Sequence, residues 1–341
     1  MTKDRIKDVA KLVLFLGIGF FFVYWFLLKL DGQTKADIWQ SVKGANYWWV
    51  GVAMAVDVLG LLFRALRWRI LYEPLGTRPS VNNTFGSVVI TYFANLAFPR
   101  LGDILRCGTM RTSEDIPVEK SLGTVVTERV VDILCYLLIM LVGVVVMFSD
   151  LKEWFGEGFA AKLSDWPVFV GLVAGGICLM AAAVWGYRHY RARLLKNGLF
   201  AKIDKFIVGC IDGLKSIFYL KRKSLFWFVA YSVLTYASYV LSGLVIFYAF
   251  PETSVLGLKE AWVIYLFGSM GMLISQGGIG AYPTLVQTAL GLYGISIAVG
   301  AACGWVMWSA MQVLSIVLGM IYAVYFSLAK RSKKESGRNE M

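Results

Sequence analysis

Six apolar runs, each long enough or nearly so to cross a bilayer, constrain this chain more than any other feature: residues 12–28, 47–63, 130–148, 167–187, 225–250 and 301–329. A spanning helix needs roughly 20 mostly apolar residues. A water-soluble fold of 341 residues with 58% hydrophobic and only 16% charged side chains would leave large apolar patches in water. The runs therefore predict an all-α polytopic membrane protein. The first run follows Lys3, Arg5, Lys7 and Lys11 as a signal peptide would, but its exit, Lys29-Leu30-Asp31-Gly32, has no small-residue cleavage pattern. It is read as a retained helix.

Several function classes drop out. The net charge of +12 suggests nucleic acid at first sight, yet Lys and Arg lie at the ends of apolar runs rather than among exposed aromatics, so no nucleic-acid partner is expected. The five cysteines form no C-x-x-C pair, which suggests neither a zinc site nor a disulfide framework. The single histidine, His189, sits in the basic stretch Tyr187-Arg188-His189-Tyr190-Arg191 without a local partner for Ser-His or Cys-His catalysis. No metal, cofactor or catalytic residue is expected.

Two further apolar segments are broken. Residues 81–98 contain Asn82, Asn83, Thr84, Gly86 and Asn95 and end at Pro99, and 262–299 is interrupted by Gln276-Gly277-Gly278-Ile279-Gly280-Ala281-Tyr282-Pro283. Such breaks expose backbone groups that lipid cannot satisfy, and they are tolerated where protein or a water-filled cavity covers them. Both are predicted as re-entrant hairpins. With the N-terminus cytoplasmic, this topology places 28 of the 34 Lys and Arg inside and six outside. Both termini and the basic tail 330–341 then face the cytoplasm. The two hairpins enter from opposite sides, so a single transmembrane domain over 1–341 divides into an inverted repeat, 12–148 and 167–329. Six transmembrane helices and two hairpins make up that fold. Transporters of this kind place their site at the repeat interface, with broken helices pointing at it.

The stretch Asn95 to Arg106 is the richest in chemistry. Pro99 and Gly102 break the segment, Arg100 and Arg106 offer forked donors suited to phosphate, and Asp103 can orient one of them. Glu128 and Asp132 share a helix face with Arg129 beside them, and Arg64 and Arg67 share another at spacing three. Asp57 lies inside the second helix, where a charge is costly. Gly277, Gly278 and Gly280 free backbone amides that can receive an anionic group. Lys221 and Arg222 read as part of an exposed basic loop.

Arg-x-x-Arg-Trp, Asn-x-x-x-Pro-Arg-x-Gly-Asp-x-x-Arg, Glu-Arg-x-x-Asp and Gly-Gly-Ile-Gly, in that order, resemble the flippase-like transmembrane family. That family is typified by the membrane domain of lysylphosphatidylglycerol synthase, the multiple peptide resistance factor of bacteria. The resemblance implies a bacterial inner-membrane protein that moves an anionic or phosphate-bearing lipid between leaflets. It places substrate-binding roles on Arg64, Arg67, Asn95, Pro99, Arg100, Gly102, Asp103, Arg106, Glu128, Arg129, Asp132, Gly277, Gly278 and Gly280. The family often carries Pro before the glycine pair and an acidic residue after it; here Gln276 and Ala281-Tyr282-Pro283 stand in those places, which argues against a cationic, lysyl-type headgroup. The longest loop, 188–224, is too short for an aminoacyl-transfer domain, so any synthase is expected to be a separate partner. The alternatives are an integral membrane enzyme acting on a lipid-linked substrate, with Asp103 and Glu128 as acid and base, and an accessory scaffold.

Overall fold

A computed structural model describes residues 32–97, 101–147 and 219–339. The runs expected at 12–28 and 167–187, with Pro99, Arg100 and His189, lie outside the described residues. The described chain is helical: α1 (Gly32–Gly44), α2 (Tyr47–Ile70), α3 (Val81–Ala97), α4 (Leu101–Glu114), α5 (Val118–Val146), α6 (Arg222–Phe247), α7 (Leu258–Ile274), α8 (Ala281–Leu292) and α9 (Ile297–Asn339). Among the described residues three segments are long and apolar enough to cross a membrane: Tyr47–Leu75, Arg222–Phe247 and Ile297–Ala329. They correspond to three of the expected runs. Contacts divide the chain into a larger unit, residues 1–125 and 219–341, and a smaller one, 126–218.

The larger unit is organised on an antiparallel pair, α2 and α6. Asn46 begins α2 by accepting the Trp48 N–H on its side chain, and its own N–H donates to the Ala249 carbonyl just past the end of α6. Along the seam the residues are small: Gly60 lies against Ser238, and Ser242 Oγ donates to the Ala53 carbonyl at 3.4 Å. Small residues let two backbones approach where lipid supplies no hydrophobic drive for association.

Each helix of the pair leads into a helical hairpin. From the end of α2, a turn at Glu73–Leu75 and Gly76, whose φ of 72° suits glycine, turns the chain into α3. α4 then runs back along it. At the base of this hairpin Glu114 accepts from Ser80 N–H and Asn83 Nδ2, placing a carboxylate at the start of α3. At the tip, Asn95 Oδ1 accepts the Gly102 N–H at 2.9 Å. The legs are so close there that a Cβ on Gly102 would stand 2.1 Å from the Thr91 carbonyl oxygen. The second hairpin, α7 and α8, follows the other end of the pair, after Phe247. A Cβ on Gly271 would stand 2.6 Å from Tyr282 Cα, so this hairpin also depends on a missing side chain.

Three elements differ from the expectation. Residues 101–114, beyond the segment 81–98 expected to make the whole hairpin, form α4; Gly102, Arg106, Cys107 and Met110 are its buried face, so 81–97 supplies only one leg and α4 the other. Residues 32–44, which lie between the first two apolar runs and outside both, form the polar helix α1. Arg222 and Lys223 open α6 instead of ending a loop.

Gly102 is the strictest local requirement. Gly102→Val should force the hairpin legs apart at a cost of about 1–3 kcal/mol or more. The expected outcome is a lowered Tm and a loss of folded monomer in detergent, measured against Gly108→Ala, a position with open space around it.

Candidate functional site

The two hairpins begin at opposite ends of the α2–α6 pair and meet at their tips. Gln276 Nε2, in the break between α7 and α8, donates to the Asn95 carbonyl at 2.6 Å, and Leu96 lies against Gly277. α9 holds the break from the other side: Trp308 Nε1 and Gln312 Nε2 both donate to the Gly277 carbonyl, at 2.8 and 3.0 Å. Gly277, Gly278 and Gly280 have φ of 60°, 73° and 70°, a backbone that only glycine adopts without strain. The expected amide cradle is only partly available, because the Gly278 N–H is bonded to the Ser275 carbonyl and the Ile279 N–H to that of Gln276. The break presents a carbonyl to donors as well as amides to a ligand.

Beside the tips runs a chain of polar side chains from four helices. Arg64 on α2 donates through Nη1 to the Tyr92 hydroxyl of α3 at 2.8 Å and lies over the same ring. Tyr92 is 3.3 Å, hydroxyl to hydroxyl, from Tyr239 on α6, whose ring stacks on Tyr265 of α7. A half-buried guanidinium thus has a tyrosine hydroxyl and a tyrosine ring among its partners. Asp57, one helical stretch earlier on α2, has Ser242 of α6 as a hydrogen-bond partner.

A second group of cations is fully enclosed. Arg67 and Arg106 are 0% and 1% exposed. The Arg106 guanidinium lies 4.6 Å from the ring of Trp68 and pairs with Asp103 at 3.2 Å, three residues before it. Trp68 Nε1 in turn donates to Thr124 Oγ1 at the start of α5. Asp103 also lies in the first turn of α4, where a negative charge suits the helix dipole. In the smaller unit Arg129 pairs with Asp132 at 3.6 Å, and Glu128 is buried.

The structure therefore gathers Arg64, Asn95, Gly102, Gly277, Gly278 and Gly280 about the hairpin tips. Arg67, Asp103 and Arg106 form the enclosed group, and Glu128, Arg129 and Asp132 belong to the smaller unit. Sequence reasoning missed Tyr92, Tyr239, Tyr265, Trp308 and Gln312. Two signals were available: Tyr92 falls three residues before Asn95 on one helix face, and Gln312 is an amide inside a long apolar run. No group of three or more His, Cys, Asp or Glu suited to a metal occurs among the described residues.

These observations define a multi-pass helical membrane protein built around two hairpins that meet tip to tip. The chain belongs to the family described as lysylphosphatidylglycerol synthase TM region, which it matches over residues 9–332. Glycosyltransferase AglD from Haloferax volcanii is 30% identical to it over 86 residues, 25% of this chain and 14% of that protein. The chain thus aligns with only a small part of that relative. No solved structure matches it at a significant level.

Trp308 and Gln312 share one acceptor, so each can cover for the other. Trp308→Phe or Gln312→Leu alone should cost about 1 kcal/mol. Together they leave the Gly277 carbonyl with neither donor, and the pair should lose about 1–3 kcal/mol beyond the sum. A double-mutant cycle on unfolding in detergent measures that excess, and simple additivity would remove Gly277 as a shared anchor.

Proposed function

We propose that this protein is a lipid transporter that moves an anionic, phosphate-bearing lipid between the leaflets of a bacterial inner membrane. The observation that carries the reading is the meeting of the Asn95 and Gln276 tips beside Arg64. Two half-length helices that end at one place within a bundle of spanning helices bring their termini and broken backbone to a common point, as substrate sites of secondary transporters do. The antiparallel α2 and α6, each followed by a hairpin, support an inverted repeat of 12–148 and 167–329 with re-entrant hairpins. A phosphate would be met first by Arg64, with the Tyr92 and Tyr239 hydroxyls orienting its oxygens. The acyl chains would stay in the bilayer while one repeat rocks against the other.

The enclosed Arg67 and Arg106 serve in this reading as a polar joint between α2 and α4, since both side chains are out of solvent. The family description names a lipid synthase, and the partial likeness to AglD carries the name of a glycosyltransferase. The first favours a lipid substrate, and the second keeps open a role beside a group-transferring enzyme. Reconstitution separates the possibilities. The transporter reading expects redistribution of a labelled lipid without chemical change; conversion of the lipid, or neither result, rejects it.

Two outcomes are specific. Arg64→Ala should reduce lipid movement at least about tenfold with expression and Tm nearly unchanged, and Arg64→Lys should restore it only in part, because Lys lacks the planar fork. Lys120→Gln, an exposed cation away from the tips, should be nearly silent. Cysteines placed at Arg78 and Glu252, at opposite ends of the α2–α6 pair, should be labelled by an impermeant reagent from opposite faces of the membrane. Labelling from one face would reject the spanning arrangement.

A further inference from the structure

A cavity of about 610 Å³ opens at the basic end of the α2–α6 pair, apart from the hairpin tips. One wall is the last turns of α2 and the turn after it, the other the first turns of α6. Leu66, Arg69, Ile70 and Glu73 recur at helical spacing on the first wall. Ser224, Trp227 and Tyr231 do so on the second. The lining is graded along the helix axes. Lys221 and Lys223 come first along α6, with Trp227 and Tyr231 stacked on each other one and two turns later, while on the other wall Leu66 and Ile70 precede Glu73 and Arg78. The volume lies within the range of small-molecule sites.

Four cations line this space against one carboxylate. Glu73 already accepts from the Ser224 hydroxyl, and Arg69 is fixed by its Nε bond to the Pro79 carbonyl at 2.6 Å. Arg78, Lys221 and Lys223 form no ion pair among the described residues. The hydroxyl of Thr77, on the same lining, is out of solvent and without a hydrogen-bond partner. The start of α6 adds to the positive field, for Leu225 is the first residue whose N–H bonds back, to the Lys221 carbonyl, and no side chain caps the helix. Like charges gathered round a cavity repel one another unless an anion joins them.

We propose that this cavity is a second lipid site, which binds the phosphate-bearing headgroup of an anionic lipid from the leaflet at the basic end of the pair. The grading supplies the reason to choose a lipid: the cations meet the phosphate at the level where Trp and Tyr rings meet a headgroup region, and the acyl chains pass down the Trp227–Tyr231 and Leu66–Ile70 walls. Lys221 is then part of a binding wall and not of a featureless loop.

The test uses the full chain in a neutral detergent, with bound lipid counted by native mass spectrometry. Phosphatidylglycerol, phosphatidylcholine and glycerol 3-phosphate are the probes. The wild type and Lys120→Gln should hold phosphatidylglycerol in preference to phosphatidylcholine. Arg78→Gln with Lys223→Gln should weaken that binding about tenfold or more at unchanged Tm, and Arg78→Lys with Lys223→Arg should retain it. Three results would overturn the proposal: wild-type binding by the double Gln variant, equal loss in Lys120→Gln, or cavity-dependent binding of glycerol 3-phosphate as tight as that of the lipid. Binding is read without lipid movement, so its failure leaves the transport reading standing, and the reverse holds.

Discussion

Asn95 holds both hairpins at once. Its side-chain oxygen accepts the Gly102 N–H that starts α4, and its backbone carbonyl, four residues before a proline that has no N–H to offer, accepts from Gln276. A chain that crosses a membrane can interrupt a helix only if the freed backbone groups find partners inside the protein, because lipid offers none and each unsatisfied group costs several kcal/mol. The second break obeys the same constraint through Trp308 and Gln312 on the Gly277 carbonyl. The tips therefore need each other and α9. Without this contact the first hairpin would lose a donor for its Asn95 carbonyl and the second an acceptor for its Gln276 amide, so it serves both.

That constraint shapes the electrostatics. Arg64 donates to the Tyr92 hydroxyl and lies over that ring, with the Tyr239 hydroxyl next in line, whereas Arg106 pairs with Asp103 and lies over the face of Trp68. The two cations look alike in the sequence, yet Arg64 is half-buried and Arg106 only 1% exposed, so the first alone keeps part of its surface within reach of an incoming anion.

The apolar runs made α2, α6 and α9 legible, because length and hydropathy alone decide whether a helix can span. The interruptions at Pro99 and at Gln276–Pro283 made the two breaks legible, since Gly and Pro mark where a helix cannot continue. α4 was missed for the opposite reason. Its residues are polar on average, and only the recurrence of Gly102, Arg106, Cys107 and Met110 on one face marks it as a packed helix. The pairing of Asn95 with Gln276 joins residues 181 apart and depends on how two hairpins are aimed, which no local spacing encodes. Tyr239 and Trp308 escaped because aromatic residues are common in membrane helices, and composition does not tell one that packs in lipid from one that holds a carbonyl or a guanidinium.

The basic end of the α2–α6 pair carries two kinds of information in the same residues. Arg69, Arg78, Lys221 and Lys223 contribute to the charge asymmetry that orients a membrane protein, and that rule counts charges without regard to where they point. Folding then brings two stretches separated by about 150 positions of chain together at one mouth, which is what turns a topological signal into a cavity with a sign. The Ser224 hydroxyl bonded to Glu73 ties this end as the Asn46 N–H on the Ala249 carbonyl ties the other, so the pair is joined at both ends. A site formed this way has its charge at the interface and its apolar walls within the bilayer, in the same order as the molecule of lipid it would hold.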